Sequence, residues 1–248
     1  MANSRMPVMF AGHGSPMNAL ADNGFTRALQ TEAAALAPRP RAVLCISAHW
    51  QSVGSRVTTA ARPETIHDFY GFPPELANEV IELFDFGVVD GDAGWGLDHG
   101  AWSVLRHMFP AAGVPVVQLS LDRDLDTRGH IEIARRLAPL RERGVLILGS
   151  GNIVHNLRRI DWRDDAEPYA WAIEFDGAIG ELLLKADLEG LAGYRERCGE
   201  TARLAVPTDE HYLPLLYAAA LREPGEPLTF FYEGIEYGSI SMRSLRIG

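Results

Sequence analysis

Lysine is almost missing from this chain: Lys185 is the only one in 248 residues, and arginine supplies the rest of the 23 basic side chains. No basic block stands out, and 33 acidic side chains leave a net charge of −10. Nucleic-acid binding needs a basic stripe or patch, so that class of partner is not expected. The acidity argues for solubility instead. Cysteine is nearly as scarce, with only Cys45 and Cys198. Two cannot build a disulfide framework, and Cys45, inside an apolar run, reads as a buried thiol. The first hydrophobic run is too short to span a membrane, and the stretch Met-Ala-Asn-Ser-Arg-Met-Pro carries no apolar signal region. The expectation is a cytoplasmic protein with no membrane partner.

Several catalytic signatures are absent too. There is no His-Glu-x-x-His zinc helix, no Gly-x-Ser-x-Gly nucleophile elbow and no phosphate loop ending in Gly-Lys-Ser/Thr. No pair of carboxylates is singled out for glycoside hydrolysis, and neither cysteine has a nucleophile's setting. Gly-His-Gly-Ser at 12–15 could suggest an oxyanion loop, but no motif supports a serine nucleophile.

Short, almost fully apolar runs alternate with helical patterns along the chain. Strands are expected at 8–11, 42–48, 56–59, 114–121, 145–148, 228–232 and 239–242. Helices are expected at 22–37, 76–84, 101–109, 125–143, 167–185 and 210–221. Segments 67–74 and 87–99 read as loops. Apolar strands of this kind are covered on both faces, so the pattern predicts an α/β fold. It is a three-layer α/β/α arrangement with a mostly parallel or mixed central sheet. With 47% hydrophobic residues a normal core is possible, and the lack of repeats or linkers favours a single domain over 1–248.

Histidine is where the chemistry concentrates. His13 lies between Gly12 and Gly14 after the first strand, and His49 follows the second in Ile-Ser-Ala-His-Trp. His99 follows Asp98, a possible orienting carboxylate. His155 comes after a Gly-Ser-Gly-Asn stretch, which invites an anion-binding interpretation. His211 is placed at the start of a helix capped by Thr208 or Asp209. In an open α/β sheet, ligands bind beyond the carboxyl ends of the strands. Histidines delivered there from different strands can converge on one metal. Each also has a plain structural alternative: a glycine-shaped turn for His13, an edge residue for His49, an exposed first turn for His211. His67, His107 and His130 are read as structural.

Taken together, the motifs resemble a known family. They are Gly-His-Gly-Ser-Pro (12–16), Ser-Ala-His-Trp (47–50), Asp-Phe-Tyr-Gly-Phe-Pro (68–73), Asp-His-Gly-Ala-Trp (98–102), Gly-Ser-Gly-Asn-Ile-Val-His-Asn-Leu (149–157), Glu-His-Tyr-Leu-Pro-Leu (210–215) and Glu-Tyr-Gly-Ser-Ile-Ser-Met-Arg (236–243). In this order they resemble the DOPA 4,5-dioxygenase family, the LigB-like extradiol ring-cleavage dioxygenases. The resemblance implies a mononuclear non-haem iron(II) site and a small-molecule catechol opened by O2. It carries metal ligation onto His13, His49 and His211, and acid–base work onto His155 and His99. Zinc is also implied as a metal that some members hold when isolated.

The residue chemistry is compatible with that implication. Three protein ligands leave coordination positions open for substrate, and histidine has the right pKa to move protons near neutrality. Trp50, Phe69, Tyr70 and Phe72 could wall a flat ring, and Arg158, Arg159 or Arg243 could face a substrate carboxylate. The resemblance departs in two places. An iron(II) oxygenase usually has two histidines and a carboxylate, so Glu210 competes with its neighbour His211 as ligand. Members of the family also carry a longer insertion after Pro-Pro-Glu-Leu at 73–76, a segment that bears on substrate range. A zinc hydrolase using metal-bound hydroxide and a non-catalytic metal-binding or interaction protein are the competing readings.

Overall fold

The computed structural model describes residues 5–59, 65–66, 92, 94–163 and 165–248. Its centre is a six-stranded mixed sheet. The strands, in chain order, are β1 (Val8–Gly12), β2 (Ala42–Ser52), β3 (Val116–Asp122), β4 (Val145–Gly151), β5 (Leu228–Tyr232) and, after a small separate hairpin of β6 (Ile235–Glu236) and β7 (Ile240–Ser241), β8 (Ser244–Ile247). Their spatial order is β3-β2-β4-β1-β8-β5. The first four strands run parallel, and β8 is antiparallel to both β1 and β5. Helices cover both faces, which is the expected α/β/α arrangement.

Alternation along the strands sorts the core into two halves. Met9, Ala11, Val43, Cys45, Leu146 and Leu148 face α1 (Gly24–Ala34) and α2 (His99–Met108). Val8, Phe10, Leu44, Ile46 and Ile147 face the opposite layer. That layer contains α3 (Thr127–Arg136), α5 (Ala170–Leu184), α6 (Leu188–Ala192), α7 (Tyr194–Ala205) and α8 (Leu213–Ala220), while the short α4 (Ala138–Glu142) follows α3. Because both faces are buried along their central stretches, the parallel strands carry apolar runs there, which makes them readable from sequence.

The structure departs from the sequence expectations where local chemistry intervenes. The helix expected over 22–37 begins only at Gly24, because Asn23 caps it and closes a reciprocal capping box with Thr26. The single helix expected over 125–143 is two, because Pro139 cannot continue the hydrogen-bond ladder. The segment at 56–59 is no strand of the sheet. It makes isolated bridges, Val57 to Leu119 and Thr58 to Asp92, and so lies along the outer edge of β3. At the far end, β8 rather than 239–242 enters the main sheet. Helices α6 and α7 were not expected. The loop at 67–74, the helix at 76–84 and the short segment after Leu76 lie outside the described residues.

No helix among the described residues is long and apolar enough to cross a membrane.

Candidate active site

Beyond the carboxyl ends of β1, β2 and β4, five histidine rings converge. His13 continues directly from β1, its N–H donating to the Gly151 carbonyl on β4 at 3.1 Å. His49 sits where β2 leaves its ladder. Pairing with β3 jumps from Ile46/Leu119 to Gln51/Leu121, so the residues between bulge out of register. Such bulges re-aim side chains beside sites, and this one delivers His49 to within 3.1 Å of His13, Nε2 to Nε2.

His99 is the first residue of α2, not part of a loop, because Asp98 is the helix cap. The Asp98 carboxylate accepts the Ala101 N–H at 3.0 Å, the Ser47 hydroxyl at 2.6 Å and the Gln118 amide at 2.7 Å. It thereby ties α2 to β2 and β3. Gly100 lets the helix start this close: a β-carbon there would lie 2.5 Å from Ser47 Oγ and 2.9 Å from the His49 ring. The His99 and His49 ring centroids are 3.8 Å apart.

His211 arrives from the opposite layer, in the turn before α8. It is buried, contrary to an exposed first turn. Its carbonyl accepts the Asn152 N–H at 2.8 Å and packs so tightly on Gly151 that any side chain at 151 would collide with it. Its Nδ1 lies 3.1 Å from Glu210 Oε1, and its buried Nε2 has no hydrogen-bond partner. His155 stacks flat on it at 3.5 Å between centroids. The segment carrying His155 is fastened to α7 by the His155 N–H on the Ala205 carbonyl, at 2.9 Å.

The donor atoms of His13, His49 and His211 all lie within 4.8 Å of one another. A buried imidazole nitrogen with no partner, facing two more imidazoles, suits a metal ion. Burial holds the His13 and His211 pKa values well below the ordinary histidine value, reinforced by the neighbouring histidines. Burial, then the charge of His99, lowers His155 to about 4. These three are neutral at pH 7, the state that binds metal and accepts protons. His155, Glu210 and His211 form a second, overlapping group with donor atoms equally close.

The rings open into a cavity of about 370 Å³. Its described walls are apolar at Leu157, Ile160 and Ile240, with Trp162 and Tyr237 as aromatic members. The Trp162 and Tyr237 rings approach to 5.5 Å. Neither reads as a site residue from sequence, although Tyr237 lies in the 236–243 motif, because both sit in loops and turns without periodicity. Trp50, suggested as a wall, is buried and stacks on Trp95 at 5.3 Å instead. Phe69, Tyr70 and Phe72 lie outside the described residues. Gly149 to Gly151 are strand rather than a loop nest, paired with Phe10 to Gly12 of β1, and the Ser150 hydroxyl donates to the Gly100 carbonyl at 2.6 Å and meets His13 Nδ1 at 3.1 Å. Arg243 is committed to Asp176, at 3.0 and 2.7 Å, and to Glu233. Arg158 and Arg159 are exposed.

Residues 5–229 match the family described as the catalytic LigB subunit of aromatic ring-opening dioxygenase. The chain is 44% identical over 265 residues to a 4,5-DOPA dioxygenase extradiol of Escherichia coli K12, covering 100% of this chain and 97% of that one. It is 34% identical over 261 residues to a protein of the same name from Beta vulgaris, covering 96% of each. The crystal structure of an uncharacterized protein from Escherichia coli K12 superposes with a TM-score of 0.81 at 42% identity, covering 98% of this chain and 100% of that one. With five histidines gathered at one end of the sheet and likeness along its whole length, the chain belongs to the LigB family of aromatic ring-opening dioxygenases and is an extradiol dioxygenase.

Proposed function

We propose that the chain binds one iron(II) through His13, His49 and His211 and opens a catechol such as DOPA with O2, with His155 and His99 as acid–base groups. The observation that carries this reading is the buried, unpartnered Nε2 of His211 facing His13 and His49. Glu210 then acts from behind. By accepting the Nδ1 proton it fixes the tautomer that turns Nε2 toward the metal, so His211 is the ligand and Glu210 orients it. Iron(II), when bound, supplies the charge and electron relay that join an ionised catechol to O2. The three-histidine set also suits zinc, which would fill the site without that redox chemistry.

The protein's own part is positioning and proton movement. The cavity walls at Leu157, Ile160 and Ile240 exclude water from a flat ring, and Trp162 and Tyr237 offer faces for it to stack on. His155, neutral at pH 7 and stacked on His211, is placed to take a hydroxyl proton and to return one as the ring opens. His99, packed against His49 at the start of α2, lines the same cavity as the second proton carrier.

Two variants test the division of labour. His211→Ala should bind iron(II) poorly. His155→Gln should retain iron(II) but lose about 10²-fold or more in kcat, the usual weight of a general acid–base group. Undiminished ring cleavage by His155→Gln would remove that residue from the chemistry.

A further inference from the structure

A second cavity, about 340 Å³, adjoins the histidine cavity, and Ser15 and Tyr237 line both. Its polar walls include Asn18, Asn23 and Glu236. The Glu236 carboxylate is partly buried and makes no hydrogen bond or ion pair with any described residue. Its acidic neighbours differ: Arg243 answers both Asp176 and Glu233. A partly buried carboxylate without a counter-charge is costly, and burial pushes its pKa up. No lysine or arginine lines either cavity among the described residues.

The backbone holds Glu236 in place. It ends β6 opposite Ile240, and the next residue, Tyr237, has φ of 51°, a left-handed conformation that non-glycine residues rarely adopt. That turn is tied down by the Asp161 N–H on the Tyr237 carbonyl and the Tyr169 N–H on the Gly238 carbonyl, each at 3.0 Å. Strain kept by surrounding bonds is a mark of functional segments. Tyr237 lines both cavities, and Glu236 lines the second.

We propose that Glu236 is a specificity-determining residue that receives the protonated amine of a catechol's side chain in the second cavity. The inference rests on the catechol reading above. Among the described residues Glu236 is the charged group of the second cavity, and a carboxylate pairs with an ammonium, so an aminoethyl catechol should bind there.

Calorimetry on iron(II)-loaded protein, kept anaerobic so that nothing turns over, tests it with dopamine and 4-methylcatechol. The wild type should prefer dopamine by about tenfold or more, the scale of one charge-assisted hydrogen bond. Glu236→Gln should erase that preference by weakening dopamine, and Glu236→Asp, which keeps the charge on a shorter arm, should retain part of it. Equal binding of both catechols by the wild type, or equal weakening of both by Glu236→Gln, overturns the assignment. Failure of the wild type to bind either catechol overturns the catechol reading itself and this inference with it.

Discussion

Gly151 and Glu236 show at residue scale how single side chains, or the lack of one, set this site. Gly151→Ala should cost about 1–3 kcal/mol by forcing the His211 carbonyl away from β4. Because the same shift carries the His211 ring with it, weaker iron(II) affinity should accompany the lower urea midpoint. A normal affinity at reduced stability would mean that Gly151 serves packing alone. The ligand-free Glu236→Gln protein should melt no lower than wild type, since it loses an unmatched charge. Part of this was legible in sequence. His13, His49, His99 and His155 stand out by apolar runs or glycine-rich stretches and His211 by its place at a helix start, and the structure gathers all five. Glu236, Trp162 and Tyr237 were not singled out as site residues, because a turn and a loop bring them to the cavity only through tertiary contacts.

The elements that matter most are those whose ends carry a histidine. Strand β2 was readable as an apolar run to Ala48, but its continuation through a bulge was not, because polar Gln51 and Ser52 break the pattern. Helix α2 begins at His99 because Asp98 caps it, and a cap is a local hydrogen bond that hydropathy does not report. The buried Asp98 also satisfies Ser47 and Gln118. Asp98→Ala should therefore cost more than an ordinary cap, about 2–4 kcal/mol, because it leaves buried polar groups unpaired. Urea unfolding measures this, and a loss under about 1 kcal/mol would mean the cap alone was removed. The charged α7, with little apolar periodicity, and the four-residue β8 escaped sequence reading for the same reason: packing against neighbours makes them, not their own pattern.

At the scale of the whole molecule, the two half-cores share one sheet, and we propose that residues 1–248 form a single cooperative domain. Metal-free protein should unfold in one transition, coincident by circular dichroism and tryptophan fluorescence. Its stability should depend on acid in a particular window. Burial lowers the pKa values of His13, His107, His130, His155 and His211 in the fold. The unfolded chain therefore binds more protons below about pH 6.5. The histidine contribution is full above that pH and falls as pH drops through the window, which for His155 reaches to about 4. Glu236 works in the opposite sense, one group against five. Between pH 6.5 and 5 most carboxylates are silent, so a falling urea midpoint there reports the histidines, and a flat profile would contradict their burial as neutral groups.

Oxygen uptake tests the central claim most directly. The protein is stripped of metal, reloaded anaerobically with iron(II), then given DOPA and air. The iron-loaded protein should consume O2 matched one to one by a ring-opened, yellow product, and the zinc-loaded protein should consume none. No uptake by the iron-loaded protein across a set of catechols would contradict the iron(II) ring-opening assignment.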